Sequence, residues 1–421
     1  MSNTAQYITE KNVFENGRVF IAPTKAKDVV SIRGSVFGGP NMLPRTKLGV
    51  PALAGDLFDS GTKKHSKDIL RESLAARGAT LSFFSSGDRT GFSGSCLPED
   101  TTFLLQVIVE CLAEATFPEK EITLEREQLL GRLKESKTNT GSQASQELSR
   151  MLYDPSHVNY AETDTESEKY IKSATRKQLQ DFQAMLGKGG LVLAIVGDTS
   201  PASAMKAVEA AFNKLPKGTS QASVKSANKK SASAQEKRII IPEKANIDVF
   251  LGAVVPITRD DANFLPFATL SDMLGGGFAG HLMQTVRERD GLTYGISTAP
   301  NGFGKNVQGA FRIWSTFSPD LYEKGMQSIR KEVKSFFASG ITPDALSKKQ
   351  DEMSGSYVIG LSTTNGLATM LHSIGTDEKP LSYIDEYPEI IRAITVEDIQ
   401  TAASLIPHTK LSIAAAGTFA K

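Results

Sequence analysis

Polar and apolar positions alternate in two runs near the start of the chain, divided by the tight-turn dipeptide Asn16-Gly17. Residues 12–39 are therefore expected as two strands. The second is Val29-Val-Ser-Ile-Arg-Gly-Ser-Val-Phe37, which ends at Gly38-Gly39. Ser66 to Arg77 carries helical periodicity, with Ser66 placed to cap it and Gly78 to stop it. Ala79 to Phe84 and Arg89 to Ser95 read as paired strands. Pro98-Glu-Asp opens an amphipathic helix through Ala115, and Pro118 opens the next one. The continuous apolar run Leu191 to Gly197 predicts a buried strand, and Ser200-Pro201 caps a helix ending near Leu215.

The pattern then lapses. Residues 217–238 are rich in Ser, Lys and small side chains, with almost nothing to bury. They are expected as a linker between one domain at 1–216 and another at 239–421. Past the linker the pattern begins again. Val249 to Val255 answers the strand at 29–37, and Leu282 to Gly295 answers Leu70 to Leu81. Ser318-Pro-Asp and Thr342-Pro-Asp open helices as Pro98 and Pro118 did, and Lys410 to Gly417 answers the strand before Gly197.

Composition agrees with two domains: 421 residues exceed one ordinary core. Lys plus Arg (48) against Asp plus Glu (47) leaves a net charge of +1. That argues against a nucleic-acid or membrane-surface role driven by bulk charge. Two cysteines, Cys96 and Cys111, supply no disulfide framework and are expected as buried thiols. No apolar run approaches a membrane span. Met1-Ser-Asn-Thr-Ala-Gln has neither a basic head nor an apolar stretch, which predicts the cytoplasm; removal of an export signal ahead of it would instead place the chain in the periplasm.

The stretch Gly49-Val-Pro-Ala-Leu-Ala-Gly-Asp-Leu-Phe-Asp-Ser-Gly-Thr62 has the outline of a metal-binding helix without its ligands. Its frame resembles the M16 family of zinc peptidases (pitrilysin, insulinase, mitochondrial processing peptidase). In that family a Gly opens a helix carrying His-x-x-Glu-His, and a Gly-Thr closes the segment. Histidines at i and i+4 share a helix face, with the Glu beside them as general base. On this frame Ala52 and Asp56 stand at the His positions and Gly55 at the base. The family's third ligand, a Glu on a downstream helix, falls at Arg132. A methyl group, one carboxylate and a guanidinium cannot form a three-ligand zinc site, so no metal or other cofactor is expected in this chain.

The second half carries Val286-Arg-Glu-Arg-Asp-Gly-Leu-Thr-Tyr-Gly295. Taken alone, Arg287 fits an ordinary surface ion pair and Tyr294 a strand aromatic. The resemblance implies more: it matches the family's C-domain Arg and Tyr at their spacing, framed by Leu282, Gly291, Leu292 and Gly295. Arg287 is expected to end a helix, Gly291 to stop it and Tyr294 to begin a strand. In the family the Tyr hydroxyl hydrogen-bonds the scissile carbonyl oxygen while the Arg holds substrate. Gly275-Gly-Gly277 has no Gly-Lys-Ser/Thr after it and reads as a helix-end loop, not a phosphate cradle. The histidines (His65, His157, His281, His372, His408) have no ligand spacing between them, and no Gly-x-Ser-x-Gly elbow occurs.

The resemblance implies an α+β fold of two homologous α/β-sandwich domains, mainly antiparallel sheets with helices packed on them. It implies the non-zinc subunit of a heterodimeric M16B peptidase that cleaves unfolded peptides, inactive alone. A homologous His-x-x-Glu-His partner would hold the zinc. A catalytically inactive scaffold and a peptide-binding homologue are the alternatives.

Overall fold

A computed structural model describes residues 3–218 and 234–419. Most of the expected linker at 217–238, namely 219–233, lies outside the described residues; Glu236–Ile240 is a strand. The chain forms two compact units. The first comprises 1–132, 165–224 and 356–387, and the second 133–164, 225–355 and 388–421.

The first unit is built on a six-stranded sheet. Its strands are β1 (Thr9–Val13), β2 (Gly17–Pro23), β3 (Val30–Phe37), β4 (Thr80–Ser86), β5 (Arg89–Cys96) and β6 (Val192–Gly197), in the order β1-β2-β6-β3-β5-β4. Only β2 and β6 run parallel. The segment expected as two strands is thus three. β1, Thr-Glu-Lys-Asn-Val, lies largely outside the predicted range because an edge strand with no buried residue carries no apolar alternation. Val19, Ile21, Ile32 and Leu193 face one core, where Phe58 packs against Phe83 and Phe117 at ring-centroid distances of 5.5 and 5.9 Å. Ser66 accepts the Ile69 amide at the start of the helix Lys67–Ala75, and Gly78 follows it at φ +58°, as expected.

The second unit repeats the plan with β7 (Glu236–Ile240), β8 (Ile247–Val254), β9 (Gly295–Asn301), β10 (Ala310–Phe317) and β11 (Ser412–Gly417). Their order is β7-β11-β8-β10-β9, and only β7 and β11 are parallel. Strand for strand this matches β2-β6-β3-β5-β4, so the repeat read from the sequence is a repeat of topology.

Each unit borrows a helix from the other half of the chain. The helix Thr364–Thr376 lies on the first sheet, burying Leu367, Ala368 and Leu371 against Phe20, Val192 and Ala194. The helix Thr140–Leu152 lies on the second, with Leu148 and Leu152 among Ala310 and Ala414. There the Arg312 guanidinium donates to Ser149 at 2.7 Å, and the Trp314 indole N–H donates to Asp248 at 3.0 Å. Side chains that would be solvent-facing on an open sheet are buried by these helices, which explains strands apolar on both faces such as β6.

Candidate functional site

The frame of the metal helix is intact. Gly49–Leu57 is helical and buries Val50, Leu53, Ala54 and Leu57, leaving Ala52 and Asp56 exposed on the opposite side, one turn apart. Gly55 faces the backbone of β4. A Cβ there would lie 3.6 Å from the Ser85 amide nitrogen, an ordinary contact, so crowding does not exclude a side chain.

Arg132 arrives from the helix Glu119–Ser136 and donates to Asp56 Oδ2 at 3.1 Å and to Glu125 Oε1 at 2.7 Å. The Arg132 guanidinium is therefore held by two carboxylates, at the position that the resemblance assigns to the third ligand. Burial pushes the Glu125 carboxyl up from its ordinary value; the Arg132 hydrogen bond pulls it back and the Asp56 charge adds to the rise. Zinc does not fit this set. Ala52 offers no lone pair, and Arg132 presents only N–H donors. Among the described residues no three His, Cys, Asp or Glu side chains gather as a metal site.

In the second unit, Met283–Arg289 is wound as a π-helix, a rare form found mostly in short pieces at functional sites. Its wide turn shows in the Asp290 amide, which donates to the Thr285 carbonyl at 3.0 Å. Gly291 then adopts φ +64°, a left-handed turn that a glycine takes without strain. Thr293 ties the return by donating to the Gly295 carbonyl at 2.9 Å, and β9 starts at Gly295. Tyr294, immediately before the strand, is 88% exposed. Arg287 lies inside the π-helix, two residues before its end. Its guanidinium sits 5.6 Å from the ring of Phe278, 3.5 Å from Glu288 and 3.6 Å from the Met283 sulfur. Phe278 is itself 74% exposed.

Several supporting residues carried no sequence signal. Glu332, buried on the helix Tyr322–Ser339, accepts from Arg289 at 3.0 Å and meets His281 at 3.1 Å, clamping both ends of the π-helical stretch. Arg289 also chelates Asp290, holding that carboxyl down at about 2, and Asp290 accepts from Ser328 at 2.8 Å. Lys349, buried, bridges Asp272 and Glu352 at 2.9 and 2.7 Å. At Gly276 a Cβ would fall 1.7 Å from Asp272 Oδ1, so the glycine loop before Phe278 cannot carry a side chain there. Only the adjacent Arg289-Asp290 charges could have been noticed beforehand.

The remaining histidines are engaged elsewhere. His65 meets Glu110 at 2.8 Å, His157 stacks on Tyr153 and His408 on Phe337. His372 is bonded to Ser35 at 2.8 Å, and burial, aided by Arg89 and Arg33, pushes its imidazole down to about 3. Both cysteines are buried and free, and burial raises both thiols.

Two family models match the chain. Residues 18–166 match the family model described as insulinase (peptidase family M16), and residues 173–353 match the one described as peptidase M16 inactive domain. The chain belongs to the M16 peptidase family. An uncharacterized zinc protease of Streptomyces coelicolor is 22% identical over 381 residues, 87% of this chain and 81% of that protein. A Helicobacter pylori protein named non-peptidase homolog YmxG is 23% identical over 322 residues, 76% of this chain and 72% of its own. Among solved structures, a peptidase M16 inactive domain from Pseudomonas fluorescens superimposes with a TM-score of 0.88 at 23% identity, covering 98% of each chain. A Helicobacter pylori protease gives 0.83 at 14%, covering 97% of this chain and 99% of that one. The two-domain M16-like fold expected from the repeat is therefore the fold of this M16 chain. No helix among the described residues is long and apolar enough to cross a membrane.

Proposed function

We propose that this chain is the non-zinc subunit of a two-chain M16 peptidase, silent alone and active with a homologous partner that carries His-x-x-Glu-His. The partner would bring the zinc, its bound water and the Glu base. The observation that carries the reading is the contrast between the two candidate sites. Arg132 is held in an ion pair where the proposed alignment puts the metal, while an exposed Phe278 lies 5.6 Å from a partly exposed Arg287 and Tyr294 stands exposed before β9. Large aromatics left in water beside an arginine are the residues from which binding sites are made.

In this reading the Tyr294 hydroxyl donates to the scissile carbonyl oxygen, a bond that strengthens as negative charge gathers there. Arg287 grips the peptide through its carbonyl or carboxylate groups before reaction. The substrate is an unfolded segment that adds as a strand to a free sheet edge, for which β4 and β9 are available. The chain needs no cofactor of its own. Residues 217–238 would join two domains at 1–216 and 239–421.

A second reading, a peptide-binding or scaffold homologue without catalytic duty, is favoured by the name of the Helicobacter pylori relative, a non-peptidase homologue. Co-expression with a His-x-x-Glu-His homologue separates the two. Co-purification and chelator-sensitive cleavage of an unfolded peptide support the subunit; co-purification without any dependence of cleavage on Arg287 and Tyr294 supports the scaffold.

A further inference from the structure

The borrowed helix Thr364–Thr376 covers only part of the outer face of the first sheet. On the β2 and β6 side that face is apolar and buried. The helix also reaches over β3, where Ser31 meets Thr364 and Ser35 meets His372, each at 2.8 Å; beyond it, on the β5 and β4 side, the face is lined with hydroxyls. Thr80 and Ser95 face each other at 2.9 Å, Ser82 and Ser93 at 3.0 Å. Thr80 and Ser82 are exposed. Each hydroxyl pair spends one hydrogen internally and keeps one to donate outward.

Arg33 lies in the same row. It pairs in register with Ser93, which pairs with Ser82, so guanidinium and two hydroxyls run side by side across three strands. The position of Arg33 is held by Phe84, whose ring lies 5.6 Å from the guanidinium carbon. Phe84 can lie there because residue 91 is glycine: a Cβ at Gly91 would fall 2.1 Å from the Phe84 ring. Arg33 Nε is buried without a hydrogen-bond partner. Arg89 pairs in register with Phe37, two rows away, and reaches back to donate to the Ser35 hydroxyl at 2.6 Å. Arg89 is largely buried and feels the Asp88 and Glu378 carboxylates, which leaves Arg33 as the guanidinium beside the hydroxyl rows. The Arg33 guanidinium, set beside outward-donating hydroxyls, is complementary to an anion.

We propose that Arg33, with Ser93 and Ser82, is a carboxylate-binding subsite that anchors an extended peptide on the outer face of the first sheet. Arg33 donates its planar fork to the carboxylate, the hydroxyls supply further donors, and Phe84 at the free edge strand offers a half-exposed ring to the neighbouring apolar side chain. The carboxylate comes either from the peptide's C-terminus or from an acidic side chain. The inference rests on the reading of this chain as a peptide binder, but it concerns residues remote in sequence from Arg287 and Tyr294.

The test uses the full chain and three fluorescein-labelled ten-residue peptides of one acid-free core sequence, read by anisotropy. One has a free C-terminus, one is amidated, and one is amidated with a single internal Glu. The free-acid peptide is expected to bind roughly tenfold or more tightly than the amide, the scale of one charge-assisted contact. Recovery of affinity by the internal Glu assigns the subsite to side-chain carboxylates as well; no recovery assigns it to the terminus. Arg33→Gln should abolish the preference while Arg33→Lys keeps part of it. Phe84→Leu, at a half-exposed position that leaves the fold intact, should weaken the preference by freeing the guanidinium. Equal binding of acid and amide, or a preference that survives Arg33→Gln, overturns this subsite alone. Binding of none of the three overturns the peptide-binding reading with it.

Discussion

Arg132 donates to Asp56 Oδ2 across 3.1 Å, joining two positions 76 residues apart that the proposed alignment puts at zinc-ligand places. On that alignment the remaining ligand position is Ala52, a methyl group, and the base position is Gly55, without a side chain. Both partners of the pair are about half exposed, so it is worth little to folding, on the order of 0–1 kcal/mol. On the proposed alignment its consequence is chemical: the place that would attract a dication already holds a cation.

Purified chain should therefore hold no stoichiometric zinc, and Asp56→His should add none, because Ala52 and Arg132 remain. Ala52→His, Asp56→His and Arg132→Glu combined restore a two-His, one-Glu set on an intact frame and should bind about one zinc per chain. Elemental analysis after desalting checks each variant. Zinc in the wild-type chain would mean that the ligands lie elsewhere.

The exchanged helices govern how the chain comes apart. Cutting within 217–238 leaves a first fragment that still carries Thr140–Leu152, packed on the second sheet, and a second that still carries Thr364–Thr376, packed on the first. Limited trypsin digestion should thus give two fragments of similar size that co-elute in native buffer and separate only in denaturant. Fragments that part without denaturant would contradict the exchange.

His372 sets a pH dependence. Buried beside two arginines and bonded to Ser35, it stays neutral in the fold down to about pH 3, whereas in the unfolded chain it protonates near 6.5. Below 6.5 the unfolded state binds the extra proton, so stability falls as pH falls. Between pH 7 and pH 5 this one group should cost about 2 kcal/mol. Urea unfolding at both values, for wild type and His372→Gln, measures it. The mutant should lose less stability over the interval, and an equal loss would rule His372 out.

How much of this was legible beforehand follows from where the signal lies. The repeat was visible because Pro98, Pro118, Pro343 and the glycines after each buried strand recur in order, and local turn chemistry survives translation into sequence. The reading of absent ligands rests on the fixed residue types and spacing that a zinc helix needs. The polar strand β1 was largely missed, since an edge strand need not alternate. The helix exchange was invisible, because nothing local in Thr140–Leu152 says which sheet it will cover. The π-helical winding around Arg287 was equally hidden. Its flanks, His281 and Arg289, both meet Glu332, a partner more than 40 residues on in the chain.

The central claim is that this chain contributes a transition-state contact to a partner's chemistry, and the most direct measurement is steady-state cleavage of a quenched fluorescent peptide by the reconstituted complex carrying Tyr294→Phe. Phe keeps the ring and removes only the hydroxyl, and a side chain 88% exposed leaves the fold unaffected. Loss of one oxyanion donor lowers kcat by roughly 10²–10³. Because the bond is made in the transition state, kcat and kcat/KM should fall together with KM little changed, while Arg287→Ala should raise KM as well. A Tyr294→Phe complex that turns over at the wild-type rate would contradict the account and leave the chain a scaffold.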